Sequence, residues 1–147
     1  VGYHQCADIK PNKIDCLDSL QFQGLHLHKK QFTEIKSAAF TLDINDNGKV
    51  FLIDTTAVIT LPAVASQYGP YIFVNYGEET SGVSDVQISI SPNSNDRISG
   101  CDLSTNEDKD VINTLATAAR GDYIKIVYGS STGWSIAEMR GTWAIEA

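Results

Sequence analysis

The sequence is short of the groups that most enzyme chemistry needs. It has three histidines, His4, His26 and His28, all before residue 29, and it has no Gly-x-Ser-x-Gly elbow. A serine nucleophile with a histidine base therefore has no partner over most of the chain. Cations are scarce as well: eleven Lys and Arg stand against eighteen Asp and Glu, a net charge of −7. That balance argues against nucleic-acid binding, which needs clustered cations to neutralise phosphates, and against adsorption to an anionic membrane. No apolar run approaches the roughly 20 residues that cross a bilayer, and no Gly-rich phosphate loop is present. The first residues, Val1-Gly2-Tyr3-His4, lack the charged and apolar regions of a signal peptide. A leading Val is what removal of an initiator Met leaves, so the expectation is a complete small gene product. Three cysteines, Cys6, Cys16 and Cys101, cannot all pair. An odd count with no leader suggests free thiols in a reducing cell, with a Cys6–Cys16 bridge left open.

What is abundant is turn chemistry. Apolar residues make up 42% and charged residues 20% of the 147, both a little low, and Ser, Thr, Asn, Asp and Gly fill the difference. The length fits one domain with one hydrophobic core. Charge is uneven along it. Residues 1–40 carry five Lys against Asp8, Asp15, Asp18 and Glu34, while the remainder carries six basic and fourteen acidic residues.

Residues 1–38 read as a partly extended arm. Asp8-Ile9-Lys10-Pro11-Asn12-Lys13-Ile14-Asp15 mixes charges with Pro and has no period. Residues 20–28 alternate with a change of phase at Gly24, which predicts a strand with a bulge. Residues 34–40 fit one helical turn. Regular strand signals then occupy residues 39–147. They include the continuous apolar run Val50-Phe51-Leu52-Ile53, as expected of a strand covered on both faces, and a run over 57–61 that stops at Pro62. Others lie at 40–43, 70–76, 86–91, 110–115, 123–128, 134–137 and 142–145; residues 110–115 also fit a short helix, but the poor helix formers Asn113 and Thr114 favour a strand. About nine short strands with turns between them predict an all-β fold, a single sandwich or barrel-like domain.

The sharpest local motif is Asp43-Ile44-Asn45-Asp46-Asn47-Gly48. Oxygens of Asp43, Asn45 and Asn47 at alternate positions, with Asp54 where a closing carboxylate would fall, match part of a calcium loop. The same residues make an Asx-Gly hairpin turn, and the strand-like flanks and the short Asp54 side chain favour that reading. Cys6, Cys16, His26 and His28 match no closed zinc spacing. Arg120-Gly121-Asp122 is the tripeptide of some integrin ligands, but here it introduces a strand and reads as a turn. Asp102, Glu107, Asp108 and Asp110 read as a solvated loop rather than a glycosidase pair. Tyr68, Tyr71, Tyr76, Trp134 and Trp143 could stack on sugar rings if exposed together, although packing is the commoner fate of such residues. No cofactor is implied.

The order of segments is informative. Asn47-Gly48-Lys49-Val50-Phe51-Leu52-Ile53-Asp54 runs into Val58-Ile59-Thr60-Leu61-Pro62 and Tyr71-Ile72-Phe73-Val74. Val86-Gln87-Ile88-Ser89-Ile90 precedes Asp96-Arg97-Ile98-Ser99-Gly100. The end is Arg120-Gly121-Asp122-Tyr123-Ile124-Lys125-Ile126-Val127-Tyr128 and Gly133-Trp134-Ser135-Ile136. Across residues 39–143 this resembles the β domains of tailed-bacteriophage virion proteins, on head surfaces and tail appendages. The resemblance implies a non-enzymatic structural protein, often a homotrimer, assembled in the host cytoplasm and carried on the outer surface of the virion. A capsid decoration (cement) protein bound to the major capsid protein suits the short chain. The alternative is a receptor-binding tip of a tail fibre or spike recognising cell-surface carbohydrate, and a weaker one is a secreted carbohydrate-binding module. For a decoration protein, Tyr3, Ile9, Lys10, Lys13, Ile14, Leu17 and Phe22 become candidate capsid contacts by their place in the arm, which would order on binding.

Overall fold

A period of two sends alternate side chains to opposite faces of a strand, and here the apolar set faces a single core from two sheets. A computed structural model describes residues 32–147. The strands are β1 (Thr33–Lys36), β2 (Phe40–Thr41), β3 (Val50–Ile53), β4 (Ala57–Thr60), β5 (Tyr71–Asn75), β6 (Glu79–Thr80) and β7 (Val83–Ser84). They continue as β8 (Ile88–Ser91), β9 (Arg97–Gly100), β10 (Leu103–Ser104), β11 (Val111–Asn113), β12 (Tyr123–Ser130), β13 (Gly133–Arg140) and β14 (Trp143–Ile145). There is no α-helix among the described residues, only a 3-10 turn at Ile44–Asp46. The protein is all-β, as the alternation predicts.

A seven-stranded sheet runs β1-β3-β5-β12-β13-β9-β10, a five-stranded sheet runs β14-β11-β8-β4-β2, and β6 and β7 form a small ribbon. The first half of the domain is wound. Strands β1, β3 and β5 pair in parallel in one sheet, and β2, β4 and β8 pair in parallel in the other. The chain therefore crosses between sheets after nearly every strand and returns beside the strand it left. The second half closes the winding with antiparallel pairs: β12 on β5 and β13, and β11 on β8 and β14.

Phe51, Ile53, Tyr71, Phe73, Ile124, Ile126 and Trp134 enter the core from the larger sheet, and Ile59, Ile88, Ile90, Val111 and Trp143 from the smaller. Through it runs a chain of rings. Phe40 meets Phe51 at 5.2 Å between centroids, Phe51 meets Phe73 at 5.7 Å, Phe73 meets Tyr71 at 6.5 Å, and Tyr71 meets Trp134 at 5.8 Å. Offset and tilted pairs of this kind add about 0.5–1.5 kcal/mol each beyond the area they bury.

One expectation needs correction. Residues 34–40 are not a helical turn: Thr33–Lys36 is strand β1, in register with Val50–Ile53. Thr33 and Ile35 are β-branched and alternate with Glu34 and Lys36, which suits a strand flanked by a neighbour on one side. Strand β1, although its residues fall within the predicted arm, is a strand of the seven-stranded sheet. Residues 1–31 of the arm, with the strand at 20–28, Cys6, Cys16 and the histidines, lie outside the described residues.

Strand β1 is an edge, and its charges explain how it is tolerated. Glu34 and Lys36 point to the core side of the sheet, opposite Phe51 and Ile53. Lys36 lies over the Phe40 ring at 4.8 Å, and Glu34 pairs with both Lys36 and Lys49, while Lys49 also holds Asp46 at 2.8 Å. Hydrogen bonds from Lys36 and then Lys49 hold the Glu34 carboxyl below its ordinary value. A lowered carboxylate pKa contributes stability that is present above the unfolded value, near 4.5, and is lost as pH falls through the folded one. The wild type should therefore lose more stability than Glu34→Gln as the pH is lowered through that window. The pair is largely solvent-exposed, so the difference is about 1 kcal/mol or less, read from urea midpoints at pH 7 and pH 3.5.

Candidate functional site

The densest constellation of polar side chains is buried where the two sheets meet at one end. Asn75 closes β5 in the larger sheet, Asn113 closes β11 in the smaller, Ser84 ends β7, and Asp122 precedes β12. All four are buried. Asn75 Nδ2 donates to the Val86 carbonyl at 2.8 Å and to Asn113 Oδ1 at 2.8 Å, linking the sheets. Its Oδ1 accepts from Ser84 Oγ at 2.6 Å and from the Gly77 amide at 3.2 Å. Asn113 Nδ2 donates to Asp122 Oδ2 at 3.0 Å and to the Thr142 carbonyl at 3.0 Å, and Asp122 Oδ2 also accepts from the Ala119 amide. The Asn75, Ser84 and Asn113 side chains and Asp122 Oδ2 all bond within the network. Buried polar groups so arranged make a rigid clasp.

The clasp absorbs the Arg120-Gly121-Asp122 tripeptide. Asp122 is only 5% exposed, which removes it from the reach of a receptor. Arg120 lies over the Tyr76 ring at 3.9 Å and donates to the Gly77 carbonyl at 3.0 Å. The tripeptide is a scaffold element, as its turn reading predicts.

The possible calcium ligands are engaged elsewhere. Asp43 Oδ1 caps the 3-10 turn by accepting from the Asn45 amide at 2.7 Å, and Asp46 returns the bond to the Asp43 amide at 3.0 Å. Asn47 latches the loop before β5, donating to the Gln67 carbonyl and accepting from the Gly69 amide, both at 2.7 Å. Asp54 sits beyond the far end of β3, where it accepts from Ser37 Oγ at 3.0 Å. At about 3.3 Å per residue, the four residues of β3 hold it roughly 13 Å from the loop it would have to close. Melting curves in millimolar calcium and in chelator should superimpose, whereas a bound ion would raise the midpoint by several degrees. Among the described residues no three His, Cys, Asp or Glu gather as a metal site.

The aromatic residues divide by burial. Tyr71, Trp134 and Trp143 are core residues, and burial, followed by the nearby Asp46 charge, pushes the Tyr71 hydroxyl up to about 12. Tyr68 packs against the core, while Tyr76 is 38% exposed and carries Arg120 on its face. These five therefore form no shared sugar platform. Of the acidic loop, Glu107 pairs with Arg97 at 3.3 Å, and burial raises the Asp110 carboxyl above its ordinary value. The candidate contacts Tyr3, Ile9, Lys10, Lys13, Ile14, Leu17 and Phe22 lie outside the described residues.

Sequence reasoning missed the clasp. Asn75 and Asn113 each close an apolar run and Asp122 opens one, where a polar residue looks like a strand boundary. Only their convergence in space separates a clasp from three turns. No protein-family model matches the chain, and no curated protein matches it.

Proposed function

We propose that the protein is a non-enzymatic structural component of a tailed-phage virion, a decoration protein that binds the major capsid protein on the outer surface of the head. The observation that carries this reading is the use made of the domain's buried polar chemistry. The Asn75, Ser84, Asn113 and Asp122 side chains bond to one another and to backbone rather than opening onto a cleft, which is the behaviour of scaffold. The segments that carry the resemblance fall on the strands that build the two sheets, among them β3, β4, β5, β8, β12 and β13. The burial of Tyr71, Trp134 and Trp143 weakens the sugar-binding alternative. A net charge of −7 would also keep decorated particles apart in solution.

The test is sedimentation of the purified full-length chain with head shells that lack it. Saturable co-sedimentation, lost when Lys10 and Lys13 are both changed to Glu, is the expected result. No binding to shells, together with specific hits on a glycan array, would favour the tail-tip reading instead.

A further inference from the structure

The outer face of the seven-stranded sheet is unlike the rest of the surface. The run Val50-Phe51-Leu52-Ile53 predicts a strand covered on both sides, yet only Phe51 and Ile53 enter the core. Val50 and Leu52 point outward and stay partly exposed. Ile72 and Val74 of β5 do the same beside them, and Ile35 of β1 is 57% exposed.

Strand register arranges these side chains in two rows. One row is Ile35, Leu52, Val74, Tyr123 and Arg140. The row beside it is Thr33, Val50, Ile72, Lys125 and Glu138. A bulge between Lys125 and Ile126, where β13 carries one extra residue, keeps Glu138 and Arg140 on the outer face.

The rows are complementary to each other. A two-fold axis lying between them, parallel to the rows, places the first row of one copy over the second row of another. Aliphatic side chains then meet aliphatic ones, the Tyr123 ring covers the Lys125 ammonium, and at the β13 end two symmetry-related Arg140–Glu138 pairs form, beside the 3.7 Å pair that Glu138 makes with Lys125 of its own chain. Arg and Glu are long enough to absorb the crossing angle of about 30° at which stacked sheets pack. The 35 strand residues of the sheet, at about 3.3 Å rise and about 4.8 Å spacing, give a face of roughly 550 Å², below the ~800 Å² per partner of a standard interface, so the contact is a weak, concentration-dependent one.

We propose that this face pairs with the same face of a second copy of the chain. The contact is independent of where the protein works, and it is two-fold, unlike the three-fold assembly that the phage resemblance implies.

Sedimentation velocity of the full-length chain over 1–100 μM tests it. The expected species has twice the 16.0 kDa chain mass. Val74→Lys should weaken the pair by roughly a hundredfold while leaving the circular dichroism spectrum unchanged, because a central apolar contact is replaced by a buried cation. Glu138→Arg and Arg140→Glu should each weaken it by several-fold through like charges, and the double swap should restore it. Both positions are exposed, so this arm of the test holds even if Val74→Lys fails to fold. A monomer at every concentration, a mass of three chains, or a pair indifferent to the charge swap would overturn the proposal.

Discussion

Asn75→Ala is expected to destabilise the domain by about 3–5 kcal/mol, a large share of the roughly 5–15 kcal/mol that a domain of this size commands. The estimate follows from what the truncation strands. The Val86 carbonyl, Asn113 Oδ1, Ser84 Oγ and the Gly77 amide all lose a partner. Each buried group left unsatisfied costs about 1–3 kcal/mol, partly relieved where water can enter. Asn75→Asp should fare no better despite its shape. It replaces a two-donor nitrogen with an oxygen facing Asn113 Oδ1 and the Val86 carbonyl, and it adds buried charge. Urea unfolding of both variants measures the effect, and a loss below about 1 kcal/mol for Asn75→Ala would mean that the clasp is ornamental.

Gly141→Ala should lose about 3 kcal/mol or more, and Gly48→Ala about 1 kcal/mol. Both glycines have left-handed backbones, with φ of +90° and +75°, so both pay the steric cost of a Cβ there. They differ in what the Cβ meets. At Gly48 there is open space, whereas at Gly141 the new carbon overlaps the Asp122 carboxyl group. Asp122 can move only by releasing Asn113 and the Ala119 amide, so the substitution breaks the clasp from outside. Equal losses at the two positions would show that Asp122 is free to shift.

These two predictions mark where sequence reading stops. Alternation at 57–61, 86–91 and 123–128 declared strands because one face of each lies on a core, a property each strand carries by itself. The Asn and Asp residues around Gly48 announced a turn through the local bonds of Asp43 and Asp46, but not that Asn47 would reach Gln67 and Gly69 or that the turn would join strands of different sheets rather than close a hairpin. Pairing is different in kind. That β3 lies between β1 and β5, in parallel, depends on crossings between sheets that leave no trace in the strands. Strand β1 was hidden because Thr33–Lys36 is short and charged on its core side, a pattern that only an edge position explains. The run Val50-Phe51-Leu52-Ile53 spoke of two covered faces, and within the described residues the core covers one. That remainder is what directs attention to the outer rows.

The position of the β12–β13 hairpin governs how the domain can be made. Strand β12 joins β5 to β13, and β13 joins β12 to β9, so the hairpin occupies the middle of the larger sheet although it comes near the end of the described chain. A ribosome that has released everything up to Gly121 has delivered β1-β3-β5 and β9-β10 as two fragments with no shared hydrogen bonds. The first winding exposes the β5 edge, and Phe73 and Tyr71 lack the cover of Ile124, Ile126 and Trp134. The contacts that join the two fragments are therefore made only once β13 is available, and their separation in sequence slows folding.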